Sequence, residues 1–213
     1  MEEEIRFYYN YNQYYTLLDK LKREKGLKYD GCFFELTIQY DHAIEKMSFY
    51  NKNIDGRLRL RSSINNETHT EKSKISWKRR FPDTREGSIN KEEEIEVELK
   101  PGQIENAQIL FEKVLKLKRV ESYERYRNVF FNDDIEIVVD KYPFGIALEI
   151  ENKSKVKRGE DTIKYWANKL NIDVGQAYRL SWDDKYTSLC REQGIKPVKD
   201  VLFAQNIAMP KVM

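Results

Sequence analysis

The chain has little of the chemistry that soft metals, redox cofactors or bilayers require. It carries two cysteines in 213 residues, Cys32 and Cys190. They lie far apart, show no metal-binding or redox spacing, and read as reduced packing thiols, not as a disulfide. The two histidines, His42 and His69, fall at a strand end and in a polar loop and read as structural or surface residues. No apolar run approaches the roughly 18 residues of a membrane span. The opening MEEEIRF is no signal peptide. These absences point to a cytoplasmic protein with no membrane partner. A formal net charge of +2 also removes any bulk attraction to nucleic acid, and no internal repeat is evident.

What the chain does have is sorted charge. Charged residues make up 35% of it, and the mean hydropathy is −0.78. Three stretches place one sign on alternate residues with apolar residues between: Arg57-Leu58-Arg59-Leu60-Arg61, Glu94-Ile95-Glu96-Val97-Glu98 and Glu149-Ile150-Glu151. A strand sends successive side chains to opposite faces, so each stretch has one charged face and one apolar face. Like charges in a row repel unless something meets them. A polyanion for the basic rows and a metal for the acidic rows is the chemistry of a bound triphosphate.

The pattern along the chain is mostly strands joined by short turns. Strands are expected over 2–8, Cys32 to Tyr40, Met47 to Tyr50, the basic row, Lys74 to Arg79 and the acidic row at 92–99. Further strands follow at Val120 to Phe131, Ile135 to Asp140 and Ile146 to Glu151. Turns are expected at Asn51 to Gly56, Asp83 to Asn90, Asn132 to Asp134 and Pro143/Gly145, with a polar loop at Asn65 to Lys72. Leu17, Leu18 and Leu21 mark a helix between Tyr11 and Lys25, and Ile104, Ala107, Leu110, Phe111, Val114 and Leu115 mark another. A helical tail occupies much of 160–194, with Trp166 and Trp182 as its anchors. The aromatics Phe7, Tyr8, Tyr9, Tyr11, Tyr14 and Tyr15 suit the outer wall of a barrel. The basic segment 153–158 suits a solvated loop. Short antiparallel connections of this kind suggest a sheet rolled into a barrel.

The acidic set is Glu2, Glu4, Glu94, Glu96, Glu98, Asp140, Glu149 and Glu151. Oxygen donors without Cys or His suit Mg²⁺ or Mn²⁺ and argue against zinc or copper. Magnesium takes only one or two carboxylates beside substrate phosphates, so most of the set must orient or pair. The basic set is Arg6, Arg57, Arg59, Arg61, Lys78, Arg125 and Arg127. Arginine forks grip phosphate oxygens bidentately. If these faces all point into one barrel, the lumen is polar and the apolar faces must be covered from outside.

In this order the motifs resemble those of the CYTH superfamily, the triphosphate tunnel metalloenzymes, a group of class IV adenylyl cyclases, thiamine triphosphatases and inorganic triphosphatases. The opening Glu-x-Glu-x-Lys is matched by Glu2, Glu4 and Arg6, with arginine in place of lysine. The L-R-x-R strand resembles Leu58-Arg59-Leu60-Arg61, and the next-strand lysine resembles Trp77-Lys78. The E-x-E strand resembles Glu96 and Glu98, preceded by Glu94. The basic pair resembles Arg125-Tyr126-Arg127, the aspartate Asp140, and the closing E-I-E Glu149-Ile150-Glu151 after Phe144-Gly145.

The resemblance spans roughly 1–152. It implies an α+β fold, an eight-stranded antiparallel tunnel with a charged lumen and flanking helices. Residues 153–213 form a helical C-terminal extension on the same domain, able to plug a tunnel end, cover the outer wall or make a homodimer contact. One or two Mg²⁺ or Mn²⁺ ions are implied, held by Glu149, Glu151 and Glu2 or Glu4. Arg6, Arg57, Arg59, Arg61, Lys78, Arg125 and Arg127 would bind triphosphate, with Arg57 nearest the mouth. Lys78, Arg59 and Arg61 would stabilise the transition state; Glu94, Glu96, Glu98 and Asp140 would support. Arg6 cannot carry a proton as a lysine could, because its pKa is too high. The expected substrate is a small triphosphate or ATP, and nucleic acid enters only as a 5′-triphosphate end. Hydrolysis at the terminal phosphorus, cyclisation of ATP and plain binding all use the same cradle.

Overall fold

Alternation along the chain becomes alternation across a wall. The computed structural model describes residues 2–51, 53–80 and 89–213. Eight strands, β1 (Glu2–Tyr9), β2 (Lys28–His42), β3 (Asp55–Asn65), β4 (Glu71–Arg80), β5 (Asn90–Leu99), β6 (Leu117–Phe131), β7 (Ile135–Tyr142) and β8 (Gly145–Asn152), form one sheet. They run in the order β2-β3-β4-β5-β1-β8-β7-β6, and β6 returns to pair with β2. All these pairings are antiparallel, so the sheet closes into a barrel with no free edge among them. A ninth strand, β9 (Asp200–Val201), lies parallel to β6 at Ser122 and Tyr123. The long partners β2 and β6 bend together through register shifts at Tyr29/Gly31 and Gln39/Tyr40. Gly31 takes the first at φ 142°, where a side chain is strained.

The apolar faces point outward, and most are roofed by helices, whereas Ile95 and Val97 of β5 stay exposed. Ile5, Phe7, Ile137, Val139, Ile146, Leu148 and Ile150 pack against Leu18 and Leu21 of α1 (Tyr14–Arg23). They also meet Ile163, Trp166 and Ala167 of α3 (Gly159–Lys169). On another side, α2 (Ile104–Ile109) runs on into a π-helical turn, Leu110–Val114. It buries Ala107 and Phe111 against Ile38, Tyr40 and Leu60. Burial of this kind is worth about 1.5–3 kcal/mol per large side chain. It makes an inverted barrel, apolar outside and polar within, stable in water.

The fourth helix does something else. α4 (Trp182–Glu192) starts at a Ser181–Asp184 capping box. Its Trp182, Tyr186, Leu189 and Cys190 cluster with Tyr123, Tyr142 and Ala147. Strand register puts Tyr123 beside Thr37, and Ala147 beside Tyr8 and Asp140, on the lumen side. The tail therefore both covers the outer wall, through α3, and plugs one tunnel end, through α4. Trp166 and Trp182 accordingly anchor different surfaces.

Several local expectations change. The strand expected at Met47 to Tyr50 is a 3₁₀ turn, Glu45–Met47, followed by a single bridge from Tyr50 to Asp55. The cause is Asp41, whose carboxylate accepts from the backbone N–H groups of His42 and Phe49 and from the Ser48 hydroxyl, each at 2.7 Å. Such bonds compete with ladder pairing. The aromatic series divides as strand alternation requires. Phe7 joins the outer core and Tyr9, Tyr11 and Tyr14 pack against it, whereas Tyr8 faces inward and meets Tyr178 edge-on at 5.3 Å. Tyr15 is exposed. The turn expected at Asp83 to Asn90 lies largely outside the described residues. Cys32 and Cys190 are free thiols, and no helix among the described residues is long and apolar enough to cross a membrane.

Candidate functional site

Cross-strand neighbours share a face, so register fixes what the lumen contains. Arg57, Arg59 and Arg61 of β3 stand beside Lys78, Ser76 and Lys74 of β4. Those in turn stand beside Glu94, Glu96 and Glu98 of β5. Arg6 of β1 stands beside Glu149 of β8, and Glu4 beside Glu151. Arg127 stands beside Asp140, and Arg125 beside Glu35. Each row predicted from the sequence thus turns inward.

The central cavity, about 120 Å³, is lined by Arg6, Arg59, Arg61, Lys78, Arg125 and Arg127, with Glu2, Glu4, Glu92, Glu94, Glu149 and Glu151 among the carboxylates. Ser181 and Trp182 close it on the α4 side. On the other side it shares Arg61, Lys74, Glu96, Arg127 and Glu136 with a wider mouth of about 500 Å³. Phe33, Leu99, Pro101 and Val129 give that mouth apolar walls, and Glu98 lies at its edge.

The cations fall into two groups. Arg125 and Arg127 are held by carboxylates. Asp140, fully buried, accepts from Arg125 Nη1 at 2.8 Å and from Arg127 Nε and Nη2 at 2.8 and 2.6 Å. Glu35 accepts from Arg125 Nε at 2.7 Å. Glu149 accepts from Arg6 Nε at 2.6 Å and from Arg127 Nη2 at 3.0 Å. Burial works against the Glu149 charge, but Arg6, Arg127 and Arg125 overcome it and hold its carboxyl well below the usual range. Burial likewise opposes the Glu35 charge, and Arg125, Arg61 and Arg127 hold that carboxyl low.

Arg59 and Arg61 are different. Arg59 has no ion pair within 4.0 Å among the described residues, and its buried Nε has no hydrogen-bond partner. Burial and then the neighbouring Arg57 and Arg61 push its pKa down. Arg61 donates to Thr37 Oγ1 at 3.0 Å and to the Tyr123 hydroxyl at 3.4 Å, with its nearest carboxylate, Glu35, 3.9 Å away. Burial should raise the Tyr123 phenol, yet Arg61, Arg125 and Arg59 bring it down to about 8. That is the signature of a strongly positive region with too few counter-charges.

Facing it is a carboxylate group. Oxygens of Glu2, Glu4 and Glu92 lie within 4.8 Å of one another, and the Lys78 ammonium sits among them at 2.6, 3.3 and 2.9 Å. Burial and then Glu2 push the nearby Glu151 carboxyl up to about 9, although Lys153 pairs with it. An all-oxygen set already gathered around a cation is the donor chemistry that Mg²⁺ or Mn²⁺ requires.

The structure thus brings together Glu2, Glu4, Arg6, Arg59, Arg61, Lys78, Arg125, Arg127, Glu149 and Glu151. Glu94 lines the same cavity, and Glu96 is paired with Lys74. Arg57 stands apart. It is buried, bonded to Asp55 at 2.5 Å and Ser181 at 3.3 Å, and lines a separate cavity with Gln39, Glu121 and Asp183. Glu149, expected beside a metal, is engaged by two arginines. Sequence reading missed Glu92, Glu35, Arg80 and Tyr123. Parity could have found Glu92, two residues before Glu94, and Arg80, two after Lys78. Nothing local singles out Glu35 or Tyr123.

No protein-family model matches the chain, and no curated protein matches it. Solved structures do. The PH1819 protein of Pyrococcus horikoshii is 20% identical, with a TM-score of 0.66 over 88% of this chain and 99% of that one. A Vibrio parahaemolyticus protein described as a candidate adenylate cyclase is 15% identical, with a TM-score of 0.61 over 86% of this chain and 95% of that one. The Hippeastrum protein HpAC1, a candidate adenylyl cyclase described as having a dominant triphosphatase activity, is 17% identical, with a TM-score of 0.58 over 92% of this chain and 98% of that one. At these identities the likeness is one of fold: the chain shares with these proteins the closed eight-stranded antiparallel barrel described above.

Proposed function

We propose that this tunnel hydrolyses a triphosphate: water attacks the terminal phosphorus in line, the bond from that phosphorus to its bridging oxygen breaks, and the diphosphate leaves as orthophosphate forms. The observation that carries the reading is Arg59: a guanidinium inside a closed barrel, flanked by Arg57 and Arg61, with no carboxylate among the described residues paired to it. Leaving a buried cation unpaired is costly, and a phosphate oxygen is the partner such a fork fits. Arg59 and Arg61 would take the phosphate chain from one wall. Arg127 and Arg125, already oriented by Asp140 and Glu35, would take it from the other. The Tyr123 hydroxyl would donate to it. These preset donors would neutralise charge as it develops on the equatorial oxygens, which is most of what phosphoryl transfer asks of a protein. Glu2, Glu4 and Glu92, with Glu151 alongside, are the residues that would hold a divalent ion, which when bound supplies Lewis-acid polarisation of a phosphoryl oxygen.

One observation favours a second reading, conversion of ATP to cyclic AMP and pyrophosphate. The wider mouth, walled by Phe33, Leu99, Pro101 and Val129, has room and apolar surface for a base. HpAC1, a candidate adenylyl cyclase of this fold, has a dominant triphosphatase activity, which supports ranking hydrolysis first. The purified protein incubated with tripolyphosphate, ATP or thiamine triphosphate and Mg²⁺ or Mn²⁺ separates the readings. Orthophosphate release supports hydrolysis. Cyclic nucleotide with pyrophosphate replaces it by cyclisation. No product, with retained binding, leaves a triphosphate-binding module.

A further inference from the structure

Lys78 occupies the place a metal would take. Its Nζ ion-pairs with Glu2 Oε2, Glu4 Oε2 and Glu92 Oε2 and donates a hydrogen bond to Glu4 Oε2 at 3.3 Å. The opposite oxygens of two of these carboxylates are already held: Glu4 Oε1 accepts from Arg6 Nη2 and Glu92 Oε1 from Arg80 Nε, both at 3.0 Å. The two arginines therefore turn both Oε2 atoms toward one point, where the ammonium sits. Lys78, Glu4 and Glu92 are all buried, so this is no solvent-screened surface pair. Lys78 also lines the same cavity as the under-compensated Arg59 and Arg61.

We propose that Lys78 is a built-in counter-ion that competes with the divalent cation for these three carboxylates and is drawn off them by the triphosphate. Two cations cannot share one set of three oxygens, so metal entry displaces the ammonium. The displaced ammonium needs an anionic partner within the lumen, and a phosphate oxygen provides it. Metal and triphosphate then promote each other's binding, by the same factor in each direction, and a metal without its substrate is held weakly. Lys78 is on this view a positioning and gating residue as well as a phosphate ligand. The inference rests on the proposed function in one respect, that Glu2, Glu4 and Glu92 take a divalent cation.

The test is Mn²⁺ titration, read from the electron paramagnetic resonance of free Mn²⁺, on the full chain and on Lys78→Met, with and without non-hydrolysable imidotriphosphate. Lys78→Met should bind Mn²⁺ at least about tenfold more tightly than the parent when no phosphate is present. Imidotriphosphate should tighten Mn²⁺ binding more in the parent than in the variant. Lys78→Arg, which keeps the charge, should bind Mn²⁺ no tighter than the parent. If Lys78→Met fails to fold by circular dichroism, Lys78→Gln takes its place. Equal Mn²⁺ affinity in the parent and the neutral variant overturns the counter-ion role and leaves the proposed function standing. Absence of Mn²⁺ binding in every protein, with or without imidotriphosphate, overturns both.

Discussion

Trp182 lies parallel to and offset from Tyr142, their ring planes 9° apart and centroids separated by 6.3 Å. Trp182 belongs to a helix in the last quarter of the chain, and Tyr142 ends a strand whose inward face continues to Asp140. Through this contact the C-terminal tail seals one end of the tunnel and leaves the other as the route to the cationic centre. Trp182→Ala should lower stability by about 3–5 kcal/mol, as for other buried tryptophans. Urea unfolding measures it, and a loss under about 1 kcal/mol would mean that α4 is not a packed plug.

Asp140 is the hub of the opposite wall, fully buried and accepting from both Arg125 and Arg127. Asp140→Ala leaves two buried guanidiniums short of a counter-charge and should cost about 3 kcal/mol, the lower end for a broken buried pair because Glu35 and Glu149 remain. Inorganic tripolyphosphate should restore part of that loss by filling the vacated charge. A variant as stable as the parent, with or without tripolyphosphate, contradicts the pairing.

Arg59 and Arg57 are two residues apart on one strand face, yet only Arg59 lines the central cavity. Arg59→Ala should reduce kcat/KM by about 100-fold or more, the scale of losing one preset charge-stabilising donor. Arg57→Ala should mainly lower stability, since it breaks the bonds to Asp55 and Ser181. Steady-state kinetics on both, beside urea melts, decides the matter. Equal losses of kcat/KM would place Arg57 in the phosphate cradle after all.

Glu92 should be as necessary as Glu4. In Glu92→Gln and Glu4→Gln alike, metal-dependent turnover should fall by about 100-fold or more, and higher Mn²⁺ concentration should recover some of it. Full activity of Glu92→Gln at low Mn²⁺ would remove Glu92 from the cation site.

Burial and then Asp183 push the Glu121 carboxyl up to about 7. The folded protein therefore holds a proton there that the unfolded chain releases near its ordinary pKa, about 4.3. The folded state binds more protons across that window, so the contribution of this group to stability falls as pH rises from about 4.3 to about 7 and is flat above. Urea melts of the parent and Glu121→Gln between pH 5 and 8 test this. The parent should lose ground to the variant up to about pH 7, and parallel curves would falsify the shift.

Much of this was legible along the chain because strand alternation is a local property. Arg59 and Arg61, Glu149 and Glu151, and Glu2 with Glu4 face one way by parity alone, whatever the rest of the fold does. Parity also carried Arg57 to the lumen face, but not to the central cavity, since the position along a tunnel depends on strand stagger and on what caps the end. Asp41 shows the limit at short range: its carboxylate folded a stretch that reads as strand into a 3₁₀ turn.

The sequence by itself determined that charges of one sign would line one face and apolar residues the other, because side-chain direction in a strand is set by the backbone of that strand. Only the tertiary structure decided which charges satisfy each other and which are left over. Lys78 falls among Glu2, Glu4 and Glu92, and Asp140 between Arg125 and Arg127, while Arg59 has no carboxylate partner among the described residues. That outcome depends on barrel closure, on the register between strands distant in sequence, and on a tail helix that plugs one end. The leftover positive charge within the lumen exists only once those distant groups have been brought within a few ångströms.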